Sequence, residues 1–188
     1  MAVTSNTIAN QAIQLIGDNQ PAVVGQAPTF DQSAAGQALQ VWYAPCVATV
    51  ARQFGWDFAR NTVALTPTGN APPFPWAYEY SYPGTIELWQ LLPPTLADPN
   101  NPTPVNWNVG NNVVSGAATR VVWTNLQGAL GVYNSNPPES AWDALFRETV
   151  VRLLGSVLAA AVEGKPETAQ ALLQSSGAFE SIGEGRPD

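Results

Sequence analysis

The sequence predicts an α+β fold: an antiparallel helix bundle built from N- and C-terminal helices, with a small antiparallel β-sheet inserted between them. Two of the observations behind this are periodicities. Apolar residues recur at helical spacing over the first fifty residues and again from Trp142 to Val162. Between these stretches the pattern changes to alternation, bounded by Pro and Gly. The third observation is the place of the change, the corner Phe54-Gly55-Trp56-Asp57-Phe58-Ala59-Arg60, after which Asn61 to Leu65 alternate. Trp56 and Phe58, with Trp76 and Tyr78 downstream, read as the structural aromatics of this corner.

In chain order, Thr4 or Ser5 caps a first helix, 5–17, carrying Ile8, Ala12, Ile13 and Ile16 and ended by Gly17. A loop follows, with Val23 and Val24 as anchors. Asp31 or Ser33 caps the second helix, 31–55, and Phe30 is placed to staple onto its first turn. Pro45 falls inside this helix and predicts a kink or division near Tyr43.

The β insertion spans about 62–134 and holds four to six strands. Trp76, Tyr78, Tyr80 and Tyr82 alternate, the period of a strand with one apolar face. After the turn at Pro83-Gly84, Thr85 to Leu92 returns with Ile86, Leu88, Gln90 and Leu92 on one face. The Pro- and Asn-rich run that follows is an exposed loop. Val105, Trp107 and Val109 alternate, and Gly110-Asn111-Asn112 reads as a hairpin turn.

Asn136 as cap, Pro137 at the first position and Glu139 place the start of a long helix, 137–163. Pro166 opens a last helix, 166–176, and a Gly-rich tail, 177–188, carries the apolar residues Phe179 and Ile182. The whole chain reads as one domain, 1–188.

Charged residues make up 11% of the 188 residues, less than half the usual ~25%. Either a neutral surface of Asn, Gln, Ser, Thr, Pro and Ala or extensive burial against other subunits accounts for such a composition. The net charge is −7, and the seven basic residues are scattered. Binding nucleic acid by neutralising phosphates is therefore not expected. A surface that lets DNA slide past without sticking needs this sign of charge. Cys46 is the only cysteine, so no intrachain disulfide forms, and its apolar neighbours mark it as a core residue. The N-terminus lacks the basic and apolar regions of a signal peptide, and no apolar run is long enough to span a bilayer. These features predict a soluble protein of a reducing cytoplasm.

The chain has no histidine. That removes the commonest general base, the Ser-His-Asp and Cys-His arrangements, and the usual zinc sites. There is no P-loop, and the G-x-x-G at Gly128 and Gly131 reads as a turn. Paired carboxylates remain a route to sugar hydrolysis, with Asp57, Glu79, Glu87 and Glu139 as candidates and Trp76, Tyr78 and Trp89 as sugar platforms. Their spacing singles out no pair. The expectation is no enzyme, no catalytic residue, no metal and no cofactor.

Three stretches, in order, resemble the head-to-tail adaptors of tailed bacteriophages, of the tail tubular or tail accessory type. They are Ile8 to Ile13 with Leu15-Ile16-Gly17 and the long helix after it; Trp56-Asp57-Phe58-Ala59-Arg60 with Trp76-Ala77-Tyr78 and Tyr82-Pro83; and Tyr133, a Pro-containing turn, and the helix holding Leu158-Ala159-Ala160-Ala161. The chain departs from the family where Val47-Ala48 stand near an expected Arg-Asp pair, at Thr85 in place of an acidic residue, and at Gly177.

The resemblance implies a virion protein assembled in the host cytoplasm. It would form a ring of twelve copies at the head-tail junction, below the portal protein. The ring would extend a channel through which double-stranded DNA passes without specific binding, with no membrane involved. The tail residues Phe179, Ile182 and Arg186 are expected to meet the portal. The loop bounded by Pro93, Pro94, Asn106 and Trp107 is expected to meet a tail or nozzle protein. A carboxylate-dependent cell-wall hydrolase of the virion and a head-completion or stopper protein are the alternative readings.

Overall fold

The computed structural model describes residues 3–17, 22–84, 87–95, 105–162 and 164–176. Among them lie four α-helices and eight β-strands in three antiparallel sheets. The chain divides into two compact units, one of residues 1–54 with 137–188 and one of residues 55–136. This overturns the expected helix bundle with one small inserted sheet. The residues of the insertion form two sheets, and the first unit carries a β-ribbon of its own.

In the first unit, α1 (Ser5–Leu15), α2 (Ala34–Gln53) and α4 (Pro166–Ser175) each pack against α3 (Ala144–Ala161). α3 buries residues on most of its circumference, among them Phe146, Val150, Leu154 and Leu158. The element at the centre is thus one helix with three around it. α1 buries Ile8, Ala9, Ala12 and Ile13 and is capped by Thr4, whose hydroxyl accepts from the Thr7 N–H at 3.3 Å. Gly155 makes close packing possible: a Cβ there would stand 3.3 Å from Leu172 Cδ1 and 3.4 Å from the Ala12 carbonyl oxygen.

The expected loop between α1 and α2 contains β1 (Gly25–Gln26) and β2 (Thr29–Phe30). Val23 is buried, and Asn10 holds its backbone from both sides, donating to its carbonyl and accepting from its N–H at 2.9 Å. Asp31 accepts from the Ser33 hydroxyl, from the Val24 N–H and from the Ser33 N–H, which lowers its pKa below the ordinary value and ties the ribbon to α2. Ser33 is the cap of α2, accepting from the Gly36 N–H at 3.0 Å, so the helix starts three residues later than 31.

α2 continues through Pro45 without division. The missing N–H deprives the Val41 carbonyl of its donor, but Val41 and Trp42 are exposed, and water can serve that side. The long C-terminal helix also starts later than expected. Residues Glu139–Ala141 form a 3-10 turn, Trp142 Nε1 donates to the Pro137 carbonyl at 2.9 Å, and Asp143 caps α3 by accepting from the Leu145 N–H at 2.8 Å. The segment at 137 is occupied in seating Trp142, whose ring meets Phe146 edge-on at 4.8 Å.

In the second unit, β3 (Arg60–Ala64), β8 (Leu130–Asn134) and β5 (Glu87–Leu92) form one sheet in the order β3-β8-β5. β4 (Tyr78–Ser81), β7 (Ala117–Thr124) and β6 (Trp107–Val114) form the other, in the order β4-β7-β6. One apolar core draws on both, joining Leu88 and Leu91 of β5 with Tyr80 of β4 and Val122 of β7, and Leu65 and Ala129 beside them. The Tyr80 hydroxyl donates to the Leu126 carbonyl and accepts from the Gly128 N–H, pinning the turn after β7.

Two local expectations are corrected here. β5 does not keep a strict two-residue period: its register against β8 shifts between Leu88 and Gln90, so that Leu88 and Leu91 are both buried. Gly110-Asn111-Asn112 is not a turn, because β6 runs straight through it. The chain reverses at Ser115 and Gly116, both with positive φ, as a two-residue hairpin requires. Gly110 is needed for another reason: an added Cβ would fall 2.0 Å from the Trp123 indole lying over it.

Candidate functional site

The polar feature with the most converging groups is Glu79. Strand alternation places it opposite Tyr78 and Tyr80, on what the sequence suggests is a solvent face. The structure buries it to 3% exposure. The segment after β3 pairs along the edge of β4, the Thr68 N–H donating to the Glu79 carbonyl and the Ser81 N–H to the Thr66 carbonyl, and this brings the Thr68 and Asn70 side chains to Glu79. Trp123, paired with Glu79 across the β4–β7 ladder, closes that face from the next strand.

Each carboxylate oxygen takes two donors. Oε1 accepts from Thr68 Oγ1 at 2.7 Å and Asn70 Nδ2 at 3.2 Å. Oε2 accepts from Asn112 Nδ2 and Trp123 Nε1, both at 2.8 Å. Burial pushes the pKa up, but these four donors outweigh it and hold the carboxyl below its ordinary value. With four in-range donors on about four acceptor sites, the group has no lone pair left for a metal or a substrate proton. A low pKa also makes it a poor general acid at neutral pH. Glu79 joins four stretches of chain and is built as a fastening.

The other candidate carboxylates have different partners. Asp57 is exposed and pairs with Arg60 at 3.1 Å. Glu139 accepts from the Tyr43 hydroxyl at 3.2 Å, and burial first, then this carboxylate, raises the Tyr43 pKa. Glu87 is half-buried at the start of β5. Burial pushes the Cys46 thiol up to about 11, which keeps it protonated and unreactive. Among the described residues, no group of three or more His, Cys, Asp or Glu side chains is placed to hold a metal ion, and no helix is long and apolar enough to cross a membrane.

The aromatic residues named from sequence separate into two groups. Trp56 and Phe58 stack on one another, tilted, with centroids 6.1 Å apart, and both are half-buried where the second unit begins. Tyr78 packs against the core of the second unit, and the Trp76 N–H closes a turn by donating to the Pro73 carbonyl. Of the loop expected to meet a tail partner, residues 96–104 lie outside the described residues. Its ends are Pro93 and Pro94, just after β5, and Asn106 and Trp107, at the start of β6. The Asn106 carbonyl accepts from Thr124 Oγ1 at 2.9 Å, and Trp107 packs on the core. Phe179, Ile182 and Arg186 also lie outside the described residues.

Two surface features escaped the sequence reading. One is an apolar groove of about 650 Å³ in the helical unit, lined by Trp42, Leu153, Val157, Ala160, Ala169 and Leu173. The other is Phe74, 98% exposed in the run Ala71-Pro72-Pro73-Phe74-Pro75. The alternation of small and large apolar residues on the outer side of α3 was the available signal for the groove. The signal for the loop was an aromatic residue among prolines, with no strand or helix to bury it. Comparison of the chain with protein-family models and with curated proteins finds no match.

Proposed function

We propose that this protein is a structural component of a phage particle: a head-to-tail adaptor whose copies form a ring of twelve between the portal and the tail. The ring extends the DNA channel and does not grip the duplex. The observation that carries this reading is where the polar and apolar groups lie. Glu79 is consumed within the fold by four donors, while Phe74 stands 98% exposed and α3 and α4 leave an apolar groove of about 650 Å³ open. Such a distribution suits a chain that works by contact. The charged fraction of 11% and the net charge of −7 support large subunit interfaces around an acidic channel.

The proposed portal contact is the tail, 177–188, through Phe179, Ile182 and Arg186. The proposed tail-protein contact is the loop from Pro93 to Trp107. The test is sedimentation of the full chain mixed with its portal protein. Co-sedimentation as a ring is expected. Deletion of 177–188 is expected to abolish it with the fold intact. A Gly-Ser linker in place of the loop is expected to spare ring formation and block tail joining. The reading fails if the portal has no effect on sedimentation of the chain; a lone chain that clears peptidoglycan in a turbidity assay, with that activity lost on substituting Glu87, favours the hydrolase instead.

A further inference from the structure

Phe74 is an apolar projection of the second unit, and the α3/α4 groove is an apolar recess of the first. Phe74 is 98% exposed. Its turn is closed by the hydrogen bond from the Trp76 N–H to the Pro73 carbonyl at 3.0 Å, and Pro72, Pro73 and Pro75 surround it. Proline restricts the unbound loop, so holding the ring out for a partner costs little further ordering. The groove's lining comes from α3 and α4, with Trp42 of α2 at its side, and its volume of about 650 Å³ is ample for a phenyl ring. α4 has no fully buried residue, so the wall it supplies is only half covered by the described residues.

We propose that Phe74 of one copy seats in the α3/α4 groove of the next. The proposal rests on the ring reading above and names one contact within it. Because projection and recess are different surfaces, the contact is heterologous and continues from copy to copy until the rotation closes. Area decides how strong one contact is. A buried Phe contributes about 150–250 Å², and a similar area on the groove leaves the total far below the ~1,200–2,000 Å² of a stable pair. Two isolated copies therefore associate weakly, and the contact gains strength from repetition around a closed ring.

The test places the photo-crosslinking residue benzoylphenylalanine at position 74 of the full chain. Irradiation follows over a concentration series, and the crosslinked peptides are mapped by mass spectrometry. The expected crosslinks join position 74 to α3 and α4 of another copy, with a yield that rises with concentration. Filling the groove by Ala160→Trp, at an exposed position, is expected to lower that yield at least about tenfold, as loss of an interface anchor does. Phe74→Ala removes the projection and leaves the groove, and circular dichroism checks that both variants fold.

Mixing the Ala160→Trp chain bearing the crosslinker with the Phe74→Ala chain should give crosslinked products that stop at two. A yield independent of concentration overturns the proposal, because position 74 then crosslinks within its own chain. Crosslinks to other surfaces also overturn it. Rings that form unchanged with Phe74→Ala overturn this contact and leave the adaptor reading standing. A chain that stays single at every concentration, with and without the portal, overturns both.

Discussion

Removing the Glu79 carboxylate tests whether that group fastens the second unit or performs chemistry. In Glu79→Ala, Thr68 Oγ1, Asn70 Nδ2, Asn112 Nδ2 and Trp123 Nε1 lose the acceptor they share. A hydrogen bond to a charged group is worth about 1.5–3 kcal/mol net, but four bonds on one carboxylate do not add, and burying the charge has its own cost. Breaking such a buried network typically costs about 3–5 kcal/mol. For a chain of this size that is a fall in melting temperature of about 6–20 °C. Glu79→Gln should cost less, about 1–2 kcal/mol. Its amide can face Thr68, whose hydroxyl can turn to accept, while Asn70, which also donates to the Val113 carbonyl at 3.1 Å, loses its place.

Acid gives an independent check. The folded pKa of Glu79 lies below the ordinary 4.5, so its contribution is complete above that value and is lost as pH falls through the folded pKa. Stability of the parent chain should therefore fall more steeply below about pH 4.5 than that of Glu79→Gln. Urea unfolding followed by tryptophan fluorescence at several pH values measures both effects. A Glu79→Ala chain within about 0.5 kcal/mol of the parent, the range of an ordinary surface substitution, would refute the reasoning.

Other substitutions test the packing. Gly110→Val should displace the Trp123 indole and cost at least about 1–3 kcal/mol, with loss of near-ultraviolet circular dichroism from that ring. Gly155→Ala should be close to neutral, since the helix propensity gained, about 1 kcal/mol, meets contacts of 3.3–3.4 Å, whereas Gly155→Leu should lower the melting temperature clearly. Tyr43→Phe keeps the ring beside Phe30 and removes the bond to Glu139, for an expected loss of about 0.5–1.5 kcal/mol in urea unfolding. Ser115→Asn, at φ 50 in the β6–β7 turn, should raise stability slightly in the same assay, because Asn tolerates that conformation better than Ser.

Helices were legible where large apolar residues recur at the helical period, even where, as in α3, burial extends around most of the helix. Ile8, Ala12 and Ile13 mark α1, and Phe146, Val150, Leu154 and Leu158 mark α3, because residues that share a face recur at that period. Their ends were less legible. Asn136 and Pro137 suit a helix start as well as Asp143 does, and only the docking of Trp142 decides between them. The β unit was legible as alternation but not as two sheets, because local pattern does not say which strands pair at long range. Gly110 shows the difficulty most clearly. Beside Asn111 and Asn112 it has the chemistry of a turn, yet Trp123 of the next strand needs the space. Glu79 was visible as a carboxylate, but the four donors that make it unsuited to catalysis come from stretches up to 44 residues away.

The two ends of the second unit are stitched to each other. Arg60 faces Asn134 in the ladder, the Ser135 N–H donates to the Ala59 carbonyl at 2.8 Å, and Asn61 Nδ2 donates to the Ser135 hydroxyl at 2.7 Å. Paired strands of this kind hold their backbones only about 5 Å apart. The whole excursion therefore enters and leaves through one short clasp of fixed width. Residues added to the connections between its other strands leave that width unchanged.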